Sequence, residues 1–515
     1  MAAQSKPLLV YVVAGAFLAY VLYARFTLYL ARRRMMRDNG CRPCPHVYNK
    51  DPILGLDVLR ENRRNGKNGR LLEAGLERFK KFNSNTFHSR IMTMPVIVTM
   101  EPENVKSILS VKFKDYNFGA RKNALSPLLG HGIFNSDGED WANSRHMLRP
   151  NFARDQVADI EAFERHFKLM LKHIPQDGST VDLQDLFFKL TIDTSTEFLF
   201  NHSTNSLRMS GQDAENNEDV IFSKKFTYAQ GDALDRLRLG PFVRFRKNPE
   251  GDEAIRICHA YVDKWVDDAV RWAEKNDAEK AAGVSKEEER YVFIHELAKR
   301  IKDKKRIRDE LMNVLLAGRD TTASLLSNMF FELAKRPDIY SKLRAEVAQF
   351  KGRIPTYEEL RGLKYLKWCI NESLRTHPVV PGNSRIAGRD TILPLGGGPT
   401  GTSPLFVPSG TLVMYSPYGM HRRTDLYGPD ADAFRPERWE TLRPGWEYLP
   451  FNGGPRICLG QQYALTEASY VTARMVQVFE GMECRDPEGG VWRESLTLTV
   501  CSLNGVRVGL KMASE

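Results

Sequence analysis

Cys458 sits alone in a glycine-rich stretch between Phe451 and Gly460, with Pro455 and Arg456 just before it. A helix-forming run, residues 461–479, follows directly. Backbone N–H groups and a helix start aimed at a sulfur favour the thiolate. A thiolate held in this way is a soft anionic ligand suited to iron. Gly454 and Gly460 would let a flat macrocycle approach the backbone closely, and Arg456 would neutralise an acidic substituent on it. The alternative is a structural cysteine in a turn. With average residue usage, the spaced set Phe451, Gly454, Arg456, Cys458 and Gly460 has a chance expectation on the order of 10⁻⁴ in a chain this long. That favours the ligand.

Other chemistry-bearing sets lie elsewhere. Ala317, Gly318, Arg319, Asp320, Thr321 and Thr322 follow an apolar helical run at 311–316. Glycine and paired threonines are poor helix-interior residues, so a local opening is expected there, with the Thr321 hydroxyl holding water. Glu372 and Arg375 share one helix face at i,i+3, and Pro378 ends that helix. Trp141 and Arg145 are one turn apart, a spacing at which the two often simply stack.

Together these residues resemble the marks of cytochrome P450 enzymes, and they occur in that family's order. The cysteine loop matches the haem-binding FxxGxRxCxG motif, and residues 317–322 match A/G-G-x-D/E-T-T. Glu372 and Arg375 match ExxR, and Pro436-Glu437-Arg438-Trp439 matches PERF with Trp for the usual Phe. The resemblance implies that Cys458 ligates the iron of haem b, with Phe451 and Arg456 as haem-binding residues. Trp141 and Arg145 match WxxxR, whose members bind one haem propionate, and Arg385 matches a basic position that faces the other. Thr321 is expected to orient water and Asp320 to relay protons. Glu372, Arg375 and Arg438 are expected to form a structural network. The implied fold is mainly α with small β-sheets, the triangular P450 fold, preceded by one transmembrane helix.

These residues need elements to hold them. An amphipathic helix is expected around residues 255–272, a long buried one over 303–335, and β-prone runs at 91–100, 405–414 and 495–508. Charged stretches near 205–218 and 276–290 look like exposed loops. Residues 8–31 are apolar apart from Arg25 and would rise about 36 Å as a helix. A hydrocarbon core about 30 Å thick is spanned by that length. Arg32, Arg33 and Arg34 outweigh Lys6 across the span, which places the rest of the chain in the cytosol. The expected division is an anchor at 1–31, a basic, proline-bearing hinge at 32–50 and the haem-binding domain at 51–515, in the endoplasmic reticulum membrane. Cys41 and Cys44 form a CxxC with no second pair to complete a metal site, so the hinge reading is preferred.

Composition limits the partners. The 515 residues are 42% apolar and 27% charged, as in globular proteins. A mean hydropathy of −0.42 excludes a polytopic membrane protein. Residues 1–45 supply more than half of the net charge of +11, through seven basic residues against Asp38. Nucleic-acid binding therefore loses its compositional support. Seven cysteines in so long a chain point to a reducing compartment.

The cysteine region, residues 51–57, residues 126–130, residues 316–322 and residues 396–403 resemble the fungal n-alkane and fatty-acid hydroxylases. That likeness implies a small apolar substrate hydroxylated at or near its terminal carbon. Electrons would come from NADPH and flavins of a separate NADPH–cytochrome P450 reductase, with cytochrome b5 as an optional second donor. Pocket regions are expected at 125–134, 379–384 and 496–500, although each also reads as ordinary core. Arg244, within 239–245, suggests a membrane contact. Arg145, Arg149, Arg422 and Arg423 suggest basic contacts for an acidic flavoprotein surface. The alternatives are oxidation of a polyketide or terpenoid, a haem-thiolate isomerase or dehydratase, and a non-catalytic haem or gas-binding protein. Asp320 and Thr321 argue against the isomerase.

Overall fold

The apolar N-terminal stretch forms one helix, Ser5–Asp38, in a computed structural model that describes residues 5–47, 51, 55–91, 94–119, 121–152, 159–208, 216–281 and 291–513. Its segment Val10–Asp38 is long and apolar enough to cross a membrane and has 0% of its window buried in the protein. The helix runs past the expected boundary at residue 31 into the arginine cluster. There Arg32 grips Asp390 with two bonds of 2.9 Å. The proline-bearing segment is tied down as well: Arg42 N–H donates to Pro404 O, and Gly398 N–H to Pro43 O. The Cys44 thiol is pushed up to about 11 by burial, which leaves it unreactive. Among the described residues no cluster of His, Cys, Asp or Glu is arranged to hold a metal ion.

The rest of the chain is mainly helical, with small sheets at its edges. One sheet has five strands, in spatial order Thr86–Ile91, Met94–Thr99, Leu412–Tyr415, Asn383–Ala387 and Tyr116–Asn117. Only the pairing of Met94–Thr99 with Leu412–Tyr415 is parallel. A three-stranded sheet orders Val181–Asp182, Arg507–Met512 and Phe479–Cys484. Two hairpins, Thr391–Gly397 with Ser403–Val407 and Glu494–Leu496 with Val500–Ser502, complete the β-sheets of the described residues. Two expectations change at their edges. The helix expected around 255–272 runs Pro249–Ala281, so residues 276–281 are helix rather than loop and Asn276 is buried. The charged remainder, 282–290, lies outside the described residues, as do 52–54 and 209–215.

The core is organised around Lys304–Ala334, a helix of 31 residues and hence about 46 Å. Asp303 caps its start by accepting from the Lys305 and Arg306 N–H groups. Leu311, Met312, Leu315 and Leu316 pack into one apolar cluster with Leu125, Leu128 and Leu129. Leu325, Leu326, Met329 and Phe330 pack into another with the helix Gln461–Val478 that follows Cys458.

The residues matching ExxR and PERF meet in a buried knot. Glu372 and Arg375, both with 0% side-chain exposure, form two bonds of 2.9 and 2.7 Å. Arg438 Nε adds a third at 2.9 Å, and the Arg435 N–H a fourth. Arg375 also donates to the carbonyls of His421, Ala431 and Ala433. Trp439 contributes something that the usual Phe would not: its indole N–H donates to Glu372 Oε2 at 2.9 Å. Arg375→Ala should remove about 3–5 kcal/mol of stability, because it strands a buried carboxylate. Trp439→Phe should remove about 1–3 kcal/mol. Urea denaturation checks both, and unchanged stability in Trp439→Phe would show that the indole bond carries no weight.

Candidate functional site

Cys458 is held by a short turn rather than by a regular element. Its N–H donates to Phe451 O at 3.0 Å, Ile457 N–H to Gly454 O at 3.1 Å, and Tyr415 Oη to Asn452 Oδ1 at 3.0 Å. Asn452 and Gly454 both have positive φ, 62° and 65°. Gly454 has a different reason from the one its spacing suggests, since a Cβ there would lie 2.0 Å from Leu109 O. The glycine lets two protein segments meet. At Gly460 the same atom would make only ordinary contact, 3.7 Å from Phe152.

The cysteine side chain is exposed, and neighbouring Leu459 packs on the apolar cluster of residues 311–316. Burial of the loop pushes the Cys458 thiol up, while the Gly460 N–H and the Arg145 charge oppose it. Arg145 is half-buried and donates to Ile457 O at 2.9 Å.

A basic cluster lies beside the loop. Three guanidinium groups face the Phe118 ring: Arg456 at 4.3 Å, Arg385 at 4.6 Å and Arg121 at 5.1 Å. Arg456 also stacks on Trp141 at 4.4 Å, so the cation over this indole is Arg456 rather than Arg145. Arg385 donates to its neighbour's carbonyl, Ser384 O, and shares Asn383 Oδ1 with Arg121. Asp137 pairs with Arg456 at 2.8 Å and with Lys122 at 3.1 Å. Burial pushes both Arg121 and Arg456 down to about 10, and the like charge of Arg385 adds to each shift. Arg121 Nε and Arg456 Nη1 are buried without a hydrogen-bond partner. Of the three guanidinium groups around Phe118 only Arg456 has a carboxylate partner among the described residues, Asp137, an arrangement that calls for anions. An accessible sulfur beside a cluster seeking carboxylates fits a haem with two propionates. Arg121 escapes the motif reading because it sits in no motif; it lies three residues from Phe118 in the chain, and only the fold brings Arg385 and Arg456 to the same ring.

The central helix presents its own face. From Leu311 to Phe331 every residue is buried except Val314, Ala317, Gly318 and Thr321. Their spacing of three, four and seven makes one accessible stripe. Segments 125–134 and 496–500 flank it: Asn313 Nδ2 donates to Leu129 O, Asn328 Nδ2 to Val500 O, and Ser324 Oγ to Thr499 Oγ1. Val500 N–H in turn reaches Val379 O, which brings in the third expected region. The helix is continuous through residues 317–322, so the expected opening is not present. Thr321 Oγ1 instead donates back to Ala317 O at 2.6 Å. Gly318 serves packing, since a Cβ there would lie 2.7 Å from Ser195 Oγ. Asp320 is off the stripe, buried and paired with Arg319 at 3.0 Å.

Arg422 and Arg423 are not free surface cations. Each has only 10% side-chain exposure. Arg422 stacks on Tyr418 at 3.7 Å, and Arg423 pairs with Glu101 and Asp425. Arg149 is exposed.

A family profile described as Cytochrome P450 matches residues 66–489. The chain is 47% identical over 508 residues to Cytochrome P450 monooxygenase himC of Aspergillus japonicus, covering 98% of this chain and 90% of that one. It is 45% identical over 512 residues to Cytochrome P450 monooxygenase fsdH of Fusarium heterosporum, covering 98% and 88%. It is also 42% identical over 517 residues to Cytochrome P450 52A13 of Debaryomyces hansenii, covering 97% of each.

One further buried group belongs to the same region. Glu467, on Gln461–Val478, accepts from Thr194 Oγ1 at 2.6 Å and faces Thr322. Burial pushes its carboxyl from 4.5 up to about 8. In the unfolded chain it returns to the ordinary range, so between about pH 4.5 and 8 only the unfolded state gives up this proton. Stability should fall with rising pH across that window, by up to about 1.4 kcal/mol per pH unit. Glu467→Gln should therefore raise the melting temperature relative to the parent more at pH 8 than at pH 5. Equal offsets at the two pH values would refute the assignment.

Proposed function

The chain belongs to the cytochrome P450 family and is a haem-b monooxygenase, and on that premise we propose that it hydroxylates a fatty acid or n-alkane at or near the terminal carbon. The observation that carries this reading is the accessible stripe Val314, Ala317, Gly318 and Thr321. It is apolar but for one hydroxyl, and it is flanked by Leu125, Leu128, Leu129, Ile133, Phe134 and Leu498 in one cluster. Such walls suit a long aliphatic chain, which binds by area and offers no group to orient it except at its ends. The likeness of the cysteine region to fungal alkane and fatty-acid hydroxylases supports the same substrate class.

Haem, when bound, supplies the activation of dioxygen. Cys458 would provide the iron's thiolate, and Phe451 holds the cysteine backbone through its carbonyl. Arg456, Arg385 and Arg121 would hold the propionates, with Trp141 stacked under Arg456 to keep that guanidinium in place. Arg145 orients the loop from the Ile457 carbonyl and lowers the cost of negative charge on the sulfur. Thr321 holds its hydroxyl at the accessible stripe, where it can orient water. Asp320, one residue behind it, is the carboxyl that relays protons.

Electrons come from an NADPH–cytochrome P450 reductase docking on the Cys458 side, where Arg145 and Arg149 offer positive charge. The reading places the protein in the endoplasmic reticulum membrane, anchored by residues 1–31, with 32–50 as the basic segment and 51–515 as the cytosolic catalytic domain. Leu239, Phe242 and Phe245, exposed around Arg244, suit a second contact with the membrane surface.

Cys458→Ala should abolish the thiolate-type Soret band of the reduced, carbon monoxide-bound protein; an unchanged band would sink the ligand assignment. Membranes carrying the protein and a fungal reductase, given NADPH with alkanes and fatty acids of mixed length, should yield terminal or near-terminal alcohols by mass spectrometry. If the haem reduces normally and no lipid is oxidised, oxidation of a polyketide or terpenoid replaces the lipid reading.

A further inference from the structure

Arg319 lies inside the 317–322 motif, yet the accessible stripe does not include it. It is buried, and its guanidinium turns to the helix Glu218–Leu239. Nη1 donates to Asp320 Oδ1 at 3.0 Å and to Gln230 Oε1 at 3.0 Å, and Nη2 donates to Thr227 Oγ1 at 2.8 Å. The guanidinium carbon lies over the Phe188 ring at 5.3 Å and the Phe226 ring at 6.0 Å.

Two features make this more than a core ion pair. Neighbouring residues on a helix point about 100° apart, so Arg319 and Asp320 meet only because the long arginine side chain curls at the contact between helices. Thr227 and Gln230 are i,i+3 on Glu218–Leu239 and present one face to it. The same guanidinium therefore holds Asp320, on the central helix, and two side chains of the helix packed over it. A fork with separate donors can do this, and an ammonium point charge cannot reproduce its geometry.

The groups facing Asp320 are few. Burial pushes its carboxyl up, and the Arg319 charge and Gln230 amide draw it back. From the strand Val500–Ser502 comes Cys501, whose thiol is pushed up to about 12 by burial and by the Asp320 charge.

We propose that Arg319 is a positioning residue: it fixes the Asp320 carboxyl at the seam with Glu218–Leu239, so that the seating of that helix is linked to the proton-holding state of Asp320. The inference rests on the reading of Asp320 as the proton relay. It makes the relay sensitive to whatever displaces the overlying helix, including a bound aliphatic chain.

The test uses the full-length haem protein. Arg319→Gln should keep the carbon monoxide spectrum of the parent. Amides of residues 218–239 should exchange about tenfold faster by hydrogen exchange mass spectrometry. The pH midpoint of product formed per NADPH should move up by about one unit, because burial then acts without the guanidinium. Arg319→Lys should restore the pH midpoint in part and the exchange protection little. Unchanged exchange and an unchanged midpoint in Arg319→Gln would overturn the proposal. Should that variant fail to load haem, Thr227→Val with Gln230→Leu tests the link from the other helix, and parental exchange and pH dependence there would overturn it equally. Asp320→Asn separates the two readings. If it leaves product per NADPH untouched, the relay reading falls and this inference with it. If it uncouples turnover while Arg319→Gln does not move the midpoint, the inference alone falls.

Discussion

Glu372 brings a carboxylate into the fully buried interior, and much of the structure around the cysteine loop is organised by the need to satisfy it. Two guanidinium groups, a backbone N–H and an indole N–H converge on its two oxygens. Arg375 and Arg438 then spend their remaining donors on carbonyls of His421, Tyr427, Asp430, Ala431 and Ala433. Those carbonyls lie on short helices and turns between His421 and Ala433, where no long element fixes the backbone. The knot thus gives definition to the segment leading to Cys458, which has to hold a reactive sulfur steadily without a regular element.

Charge is handled in the opposite way a short distance along. Around Phe118 the guanidinium groups of Arg121, Arg385 and Arg456 outnumber the carboxylates beside them, with Asp137 serving both Arg456 and Lys122. An excess of buried positive charge destabilises the chain on its own and becomes favourable once anions arrive. Stability and cofactor binding are therefore coupled at this cluster. The knot is self-sufficient, whereas the cluster is complete only with a ligand.

The central helix joins the two. Its half-exposed stripe is apolar except for Thr321, while its buried sides are unusually polar, with Asp309, Glu310, Asn313, Arg319, Asp320 and Asn328 all buried. These polar groups bind neighbouring backbone: Asp309 accepts from His131 N–H, Glu310 from Ile133 N–H and Asn313 from Phe134 N–H. Gly130 and Gly132 have no room for a Cβ against Asp309 and Asn313. The helix holds the surrounding loops by their main chains, which leaves side chains such as Ile133 and Phe134 free to shape the apolar wall.

Much of this was legible in the residues themselves. The cysteine loop, the Glu372–Arg375 pair with Arg438, the long helix from Asp303 to Lys335 and the apolar N-terminal helix all depend on local spacing and periodicity, which a sequence displays directly. What spacing does not carry is the partner of a side chain across the fold. Gly454 reads as room for a ligand and proves to be room for Leu109; Gly318 reads as a helix opening and proves to be a contact with Ser195. Arg422 and Arg423 look like surface charge and are committed to Tyr418, Glu101 and Asp425. Arg121 belongs to no motif, and Arg319 stands at a motif's unspecified position. The sequence by itself determined which chemistry the chain carries, because ligand type and helix face are properties of neighbours along the chain. Only the tertiary structure decided which charges are paired and which are left for a ligand, because burial and long-range contact set the cost of every ionised group.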